Sequence, residues 1–174
     1  ASYNGTVGFK PTYGRVSRHG VIPVSWSLDT MGWMTRSVED AALLLQVMAG
    51  HDPQDPVASR RPVPDYLIGL ESPRPPRIGV IRRFFFDHAD AETRQHVEGV
   101  LETLSRAGAT VEEAPLPDSI DTAIEDQRTI MSVEAASFHQ PMFQRQAGDY
   151  SPLLRELLRR GLETGAVTYS RALE

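Results

Sequence analysis

Five histidines, one lysine, scattered serines and no cysteine are what this chain offers for chemistry. His19, His51, His88, His96 and His139 include no pair at the i, i+4 spacing that lets two imidazoles share a metal ion. His51 stands beside Asp52, and His88 beside Asp87. Adjacent side chains rarely face each other, so loop histidines are expected rather than base–carboxylate pairs. Without Cys there is no disulfide, thiolate nucleophile or Cys-ligated zinc within the chain. Gly5-Thr6-Val7-Gly8 and the later glycines form neither G-x-G-x-x-G nor a phosphate-binding loop. No G-x-S-x-G elbow presents a serine. Phe84-Phe85-Phe86 reads as the hydrophobic end of a strand rather than a base-stacking platform. Arg159-Arg160 reads as a solvated helix face, although an Arg fork can hold a substrate carboxylate. Residue types and spacing alone support a soluble α/β domain and nothing sharper.

The elements that would position these residues are more legible. Residues 1–36 are rich in Gly, Pro, Ser and Thr, and read as short strands and ordered loops, with Gly8, Gly14, Gly20 and Gly32 at tight points. Ser37 is a good N-cap, with Asp40 three residues on. Val38, Ala41, Leu44, Leu45 and Met48 then recur at helical spacing, and Gly50 is expected to close the helix as a left-handed C′ residue. Residues 51–76 form a Pro- and Asp-rich surface connector that includes Pro53, Pro56, Pro62, Pro64, Pro73, Pro75 and Pro76. Ile78-Gly79-Val80-Ile81 predicts a strand reaching toward Phe86. Asp90 caps a helix with an inner face of Val97, Val100, Leu101 and Leu104, ended by Gly108. Thr110-Val111-Glu112-Glu113 predicts the next strand. Strand, helix and strand with short loops make a βαβ unit over 77–117 with parallel strands. Residues 118–174 read as helical. Pro141 is expected to stop or kink the first run, Ser151-Pro152 to open the second, and Thr168 to open the last.

Bulk properties bound the partners. The chain has 174 residues, enough for one domain with a core, and a net charge of −5. That charge argues against a general nucleic-acid or membrane-surface binder. No apolar run reaches the length of a membrane span, and the first residues lack the features of a signal peptide. The absence of Cys fits a reducing cytoplasm. The chain starts at Ala1 without Met and ends at Ser170-Arg171-Ala172-Leu173-Glu174 like a helix cut short. It therefore reads as an internal fragment.

One stretch carries more. Val7-Gly8-Phe9-Lys10-Pro11-Thr12-Tyr13-Gly14-Arg15-Val16-Ser17 closely resembles the run just downstream of the serine-rich signature of the amidase-signature family. Ser27-Leu28-Asp29-Thr30-Met31-Gly32-Trp33-Met34-Thr35-Arg36-Ser37-Val38-Glu39-Asp40-Ala41-Ala42 strengthens the match, although the family form has Pro where Trp33 stands. Ala49-Gly50-His51-Asp52-Pro53, Ala107-Gly108-Ala109 and Leu116-Pro117 continue it. The resemblance is strong over 1–56, fair over 77–117 and weak beyond. In style the chain is nearest to the A subunit of the glutamyl-tRNA(Gln) amidotransferase and to free-standing amidases.

The resemblance implies an α/β fold, a mixed twisted sheet with helices on both faces, of which 1–174 is a single partial domain. It implies a hydrolase that converts a carboxamide to acid and ammonia, or the A subunit of a glutamyl-tRNA(Gln) amidotransferase. The rival is a non-catalytic scaffold of the same fold. The family uses a nucleophilic Ser, a second Ser in a cis peptide and a Lys base. Ala1 matches the residue that closes the signature, so all three groups are expected upstream and none within this chain. Lys10 falls on the structural Lys-Pro-Thr run. No catalytic residue is therefore assigned, and the fragment alone is expected to be inactive. Pro11 and Gly14 are expected to set the loop that supports the signature segment. Ser27 and Asp29 are the substrate-pocket candidates. For Asp29, capping the turn toward Gly32 is the favoured alternative. No metal or organic cofactor is implied. The implied partners are a small-molecule amide, and a homodimer or amidotransferase subunits, with no membrane and no direct nucleic-acid contact. The implied location is cytoplasmic.

Overall fold

Three of the described helices start where a side-chain cap serves their first N–H groups. The computed structural model describes residues 1–71 and 74–174. Its elements in chain order are β1 (Val7–Phe9), β2 (Trp33–Thr35), α1 (Val38–Met48), α2 (Ile68–Glu71), β3 (Arg77–Val80), α3 (Phe85–His88), α4 (Ala91–Arg106), β4 (Thr110–Glu113), α5 (Ala123–Gln146), α6 (Pro152–Glu163) and α7 (Ala166–Ala172). Ser37, Asp90 and Ser151 accept from the backbone N–H of Asp40, Thr93 and Leu154 at 3.0, 2.7 and 3.3 Å, as their positions predict. The chain forms two compact units, Ala1–Ser72 with Asp126–Glu174, and Pro73–Glu125. Pro73 of the expected connector lies outside the described residues.

In the first unit β1 and β2 pair antiparallel, with Phe9 opposite Trp33 and the two rings stacked at 5.4 Å between centroids. Helix α1 follows β2 directly. Its end differs from expectation. Ala49 is already extended, forms an isolated bridge with Val16, and is followed by Gly50, whose N–H donates to the Arg15 carbonyl at 3.2 Å. The helix therefore leaves into β-type pairing with the 15–16 segment, not through a left-handed cap; Gly50 has φ 153°. Gly14 does take the left-handed conformation, φ 73°, and a side chain there would run into the Val57 carbonyl. The 58–59 segment closes over that turn through a 2.7 Å bond from the Ser59 N–H to the Gly14 carbonyl.

The core of this unit lies between α5 and α6. Ala135, Ala136 and Leu158 are almost completely buried, with Phe143, Tyr150, Leu154 and Leu157 packed around them. Of the two outcomes expected at Pro141, a stop is not what the structure has: α5 runs through it. Buried Ala135, Ala136 and His139 precede it and Phe143 follows it on the packed face. That burial on both sides outweighs the single backbone bond a proline removes. Helix α7 begins at Ala166, earlier than the expected Thr168, with Gly165 as N-cap.

The second unit is the βαβ element read from the sequence. Strands β3 and β4 are parallel, Ile78 opposite Val111, with α4 between them in the chain. The inner face of α4 is narrower than its spacing suggests, because Val100 is 42% exposed. Strand β3 stops at Val80 and does not extend toward Phe86. Arg82 leaves for Glu98 and Glu113, and Arg83 bonds Asp118 and Asp121 at 2.8 and 2.7 Å. The chain then makes a γ-turn at Phe84, φ 73°, with the Phe85 N–H donating to the Arg83 carbonyl. Asp87 accepts from the Phe84 N–H at 2.9 Å and fixes the single helical turn α3. The chain is α/β, its described strands forming one antiparallel and one parallel pair.

Candidate functional site

The pocket candidates Ser27 and Asp29 sit on loop 24–29 of the first unit, and two carboxylates hold this loop. Asp29 Oδ2 accepts from the backbone N–H of Val24 at 2.9 Å and of Ser25 at 3.0 Å. It reaches back along the chain rather than forward to Gly32, because the chain curls over it and offers two unpaired donors. The second carboxylate is Glu134, on α5 and only 2% exposed. It accepts from Ser25 Oγ at 2.5 Å, Ser27 Oγ at 2.7 Å, the Ser27 N–H at 3.1 Å and the Tyr169 hydroxyl at 3.0 Å. Four donors match the lone-pair capacity of a carboxylate. Glu134 is therefore a fixed anion that organises a loop, and it has no lone pair left to act as a base.

Burial works to raise the Glu134 carboxyl. The Ser25 and Ser27 hydroxyls, the Ser27 amide and Tyr169 together outweigh it, so the group sits below the ordinary glutamate range. Burial first, then the adjacent carboxylate, raises the Tyr169 phenol. A depressed glutamate stabilises the fold fully above its unfolded pKa, and that contribution disappears as pH falls through the lower folded value. Tyr169 stabilises below its unfolded pKa, and its contribution is lost as pH rises through the higher folded one. The urea midpoint should drop between about pH 7 and about pH 3, and drop less in Glu134→Gln. An equal acid slope in the two proteins would show that another group is responsible.

The far side of the loop is pinned as well. The Trp26 carbonyl accepts from Tyr13 Oη at 2.7 Å and from Arg18 Nη1. The Arg18 guanidinium lies 4.7 Å from the Tyr13 ring centroid and pairs with Asp55 at 3.4 Å. Burial pushes the Asp55 carboxyl up, but bonds from the Arg18 amide and guanidinium and from the Val57 amide bring it below the usual range. Arg18 and Asp55 border a cleft of about 190 Å3 that Trp26, Asp29, His19 and Gln54 also line. A larger groove, about 580 Å3, lies where Arg15 laces the connector by donating to Tyr66 Oη, Arg61 O and Pro62 O at 2.7–2.8 Å. Pro11 and Gly14 belong to this neighbourhood: Pro11 lines the groove, and Gly14 bonds the connector.

Other sequence candidates are not brought together. Asp52 takes the Ser17 hydroxyl at 2.6 Å, whereas His51 meets the Ala58 carbonyl. His88 meets the Phe84 carbonyl. Lys10 Nζ donates to the Pro11 carbonyl at 3.1 Å. Arg159 and Arg160 are exposed. Among the described residues no group of three or more His, Cys, Asp or Glu side chains is placed to hold a metal ion, and no helix is long and apolar enough to cross a membrane. Sequence reasoning missed Glu134. Its signal was an acid four residues after Ile130 and next to Ala135 and Ala136, where a charge that becomes buried needs partners.

A family model described as Amidase matches residues 1–167. The glutamyl-tRNA(Gln) amidotransferase A subunit of Pelobacter propionicus is 44% identical over 138 residues, covering 79% of this chain and 28% of that protein. An amidase of Pseudomonas putida is 41% identical over 169 residues, covering 96% of this chain and 36% of that protein. A solved structure described as the crystal structure of amidase superposes with a TM-score of 0.81 at 31% identity, covering 98% of this chain and 36% of that one. The chain thus spans about a third of the length of these proteins, or less.

Proposed function

We propose, from the premise that this chain belongs to the amidase family, that its protein hydrolyses a linear carboxamide to the acid and ammonia. The observation that carries this reading is the family match across 1–167, which includes the runs 7–17 and 27–42. In this reading a serine hydroxyl attacks the amide carbonyl, a second serine relays its proton, and a neutral lysine accepts it. Backbone N–H groups hold the tetrahedral oxyanion. The returned proton lets ammonia leave, and water then releases the acid from the acyl-serine. These three groups are N-terminal to Ala1 in this reading. Lys10 is no part of them in this reading, because it falls on the Lys-Pro-Thr run that the family uses structurally, and its Nζ donates to the Pro11 carbonyl at 3.1 Å. Loop 24–29 belongs to the pocket wall, with Asp29 and Ser27 as its polar residues.

Ammonia release from benzamide tests both parts. The 174-residue chain should give no turnover above a blank. Turnover that Lys10→Ala abolishes would overturn the placement of the catalytic groups. A protein of the relatives' length that releases no ammonia from any linear carboxamide would overturn the hydrolase. The 44% identity to the amidotransferase protein of Pelobacter propionicus favours a second reading, in which ammonia passes to an acceptor. Co-purification with partner subunits distinguishes it.

A further inference from the structure

The hydrogen bonds of loop 24–29 hold its backbone and hydroxyls but leave Val24, Trp26 and Leu28 exposed, and of these only Trp26 offers an aromatic face. Trp26 is 43% exposed. Its backbone carbonyl takes two donors, while its indole has no hydrogen-bond or ring partner among the described residues. A rigid loop that leaves a tryptophan in water meets the ordering cost of a binding surface before any ligand arrives. The cleft of about 190 Å3 beside it carries Arg18, His19, Gln54, Asp29 and Asp55. Arg18 is committed to Asp55 and to the Trp26 carbonyl, so it is not free for an anion. Asp29 uses Oδ2 for two backbone N–H groups, and its Oδ1 has no internal partner among the described residues. The cleft therefore offers a flat aromatic face, an open anionic acceptor and an engaged guanidinium. That combination fits a flat ligand with N–H donors and disfavours a carboxylate.

We propose that Trp26 and Asp29 form a binding site for the planar carboxamide of an aryl amide. The ring stacks on Trp26, the NH2 group donates to Asp29 Oδ1, and Gln54 supplies a donor for the carbonyl. The choice of carboxamide among flat N–H donors rests on the amide-hydrolase reading. Glu134 acts as a positioning residue, since it fixes Ser25 and Ser27 on either side of Trp26. In an amidase the site would also favour amide over its acid product.

Saturation-transfer NMR of the 174-residue chain with benzamide, benzoate and cyclohexanecarboxamide tests this. Benzamide should give a saturable signal, with the other two weaker. Trp26→Ala, at a position exposed enough to leave the far-UV spectrum unchanged, should weaken benzamide about 10-fold or more, a loss of about 1.4 kcal/mol. Asp29→Asn keeps a carbonyl oxygen for the Val24 and Ser25 N–H groups, and should remove the preference for benzamide over benzoate. Equal binding of benzoate to the unaltered chain, or benzamide binding unchanged in a folded Trp26→Ala variant, overturns the site. Hydrolysis of benzamide by the relative-length protein with no binding here overturns the site alone. Binding here with no hydrolysis by that protein overturns the amidase reading alone.

Discussion

Glu134→Ala should lower the stability of the first unit by about 3 kcal/mol, roughly 10 °C in Tm for a chain of this size. The cost arises from the donors left behind. Ser25 Oγ is 2% exposed as a residue, and water cannot readily replace the oxygen it loses. An unsatisfied buried donor costs about 1–3 kcal/mol. Ser27 and Tyr169 recover water more easily and add less. Glu134→Gln should fall between, because one amide oxygen remains while an NH2 group faces hydroxyls that were donating. In a Trp33→Phe background the fluorescence of Trp26 reports the loop, and far-UV circular dichroism reports the helices. The alanine variant should lose the Trp26 signal at lower urea than the helical signal. A variant that unfolds within about 0.5 kcal/mol of the parent, inside the usual range for surface changes, would show that the loop is held by its other contacts.

Gly161→Ala should be as damaging, although alanine is the better helix former by about 1 kcal/mol. Helices α5 and α6 approach so closely that a Cβ on Gly161 would overlap the Ser132 carbonyl and lie 2.7 Å from Ala136 Cβ. The obstructing atoms are backbone and a methyl fixed to backbone, so no flexible tip can swing away. The helices must part, and Leu158, 1% exposed, loses its packing against Ala135 and Ala136. Overpacking typically costs about 1–3 kcal/mol, and this arrangement belongs at or above the upper end. Gly99 in α4 is the control, since a Cβ there meets nothing within 4 Å. Gly99→Ala should instead stabilise by about 0.5–1 kcal/mol. Urea titration of both variants checks the pair of signs. A neutral Gly161→Ala would mean that the two helices slide apart without loss.

Local chemistry was readable from the sequence and long-range chemistry was not. Ser37, Asp90 and Ser151 declared their helices because a cap and its target N–H lie within three residues. The βαβ unit showed in the alternation of short apolar runs with a helical stripe. Phe84 misled, since three aromatics look like strand. What ends the strand is the pull of Glu98, Glu113, Asp118 and Asp121 on Arg82 and Arg83, partners at least 16 residues away in the chain. At Pro141 local propensity allowed a stop or a kink, and packing on both sides decides against the stop. At the candidate site, Ser27 and Asp29 stood out through the family resemblance. Glu134 did not, since nothing near it in the chain announces Ser25 or Tyr169.

That last separation has a consequence for biogenesis. Ser25 and Glu134 are 109 residues apart. At about 5–20 residues per second, a ribosome delivers the carboxylate roughly 5–20 s after the serine it must anchor. During that interval the 24–29 strip, with its tryptophan, emerges without its clasp, a target for chaperones and proteases. Such distant closure also slows the search for the native arrangement, since high contact order delays the reward for ordering the chain.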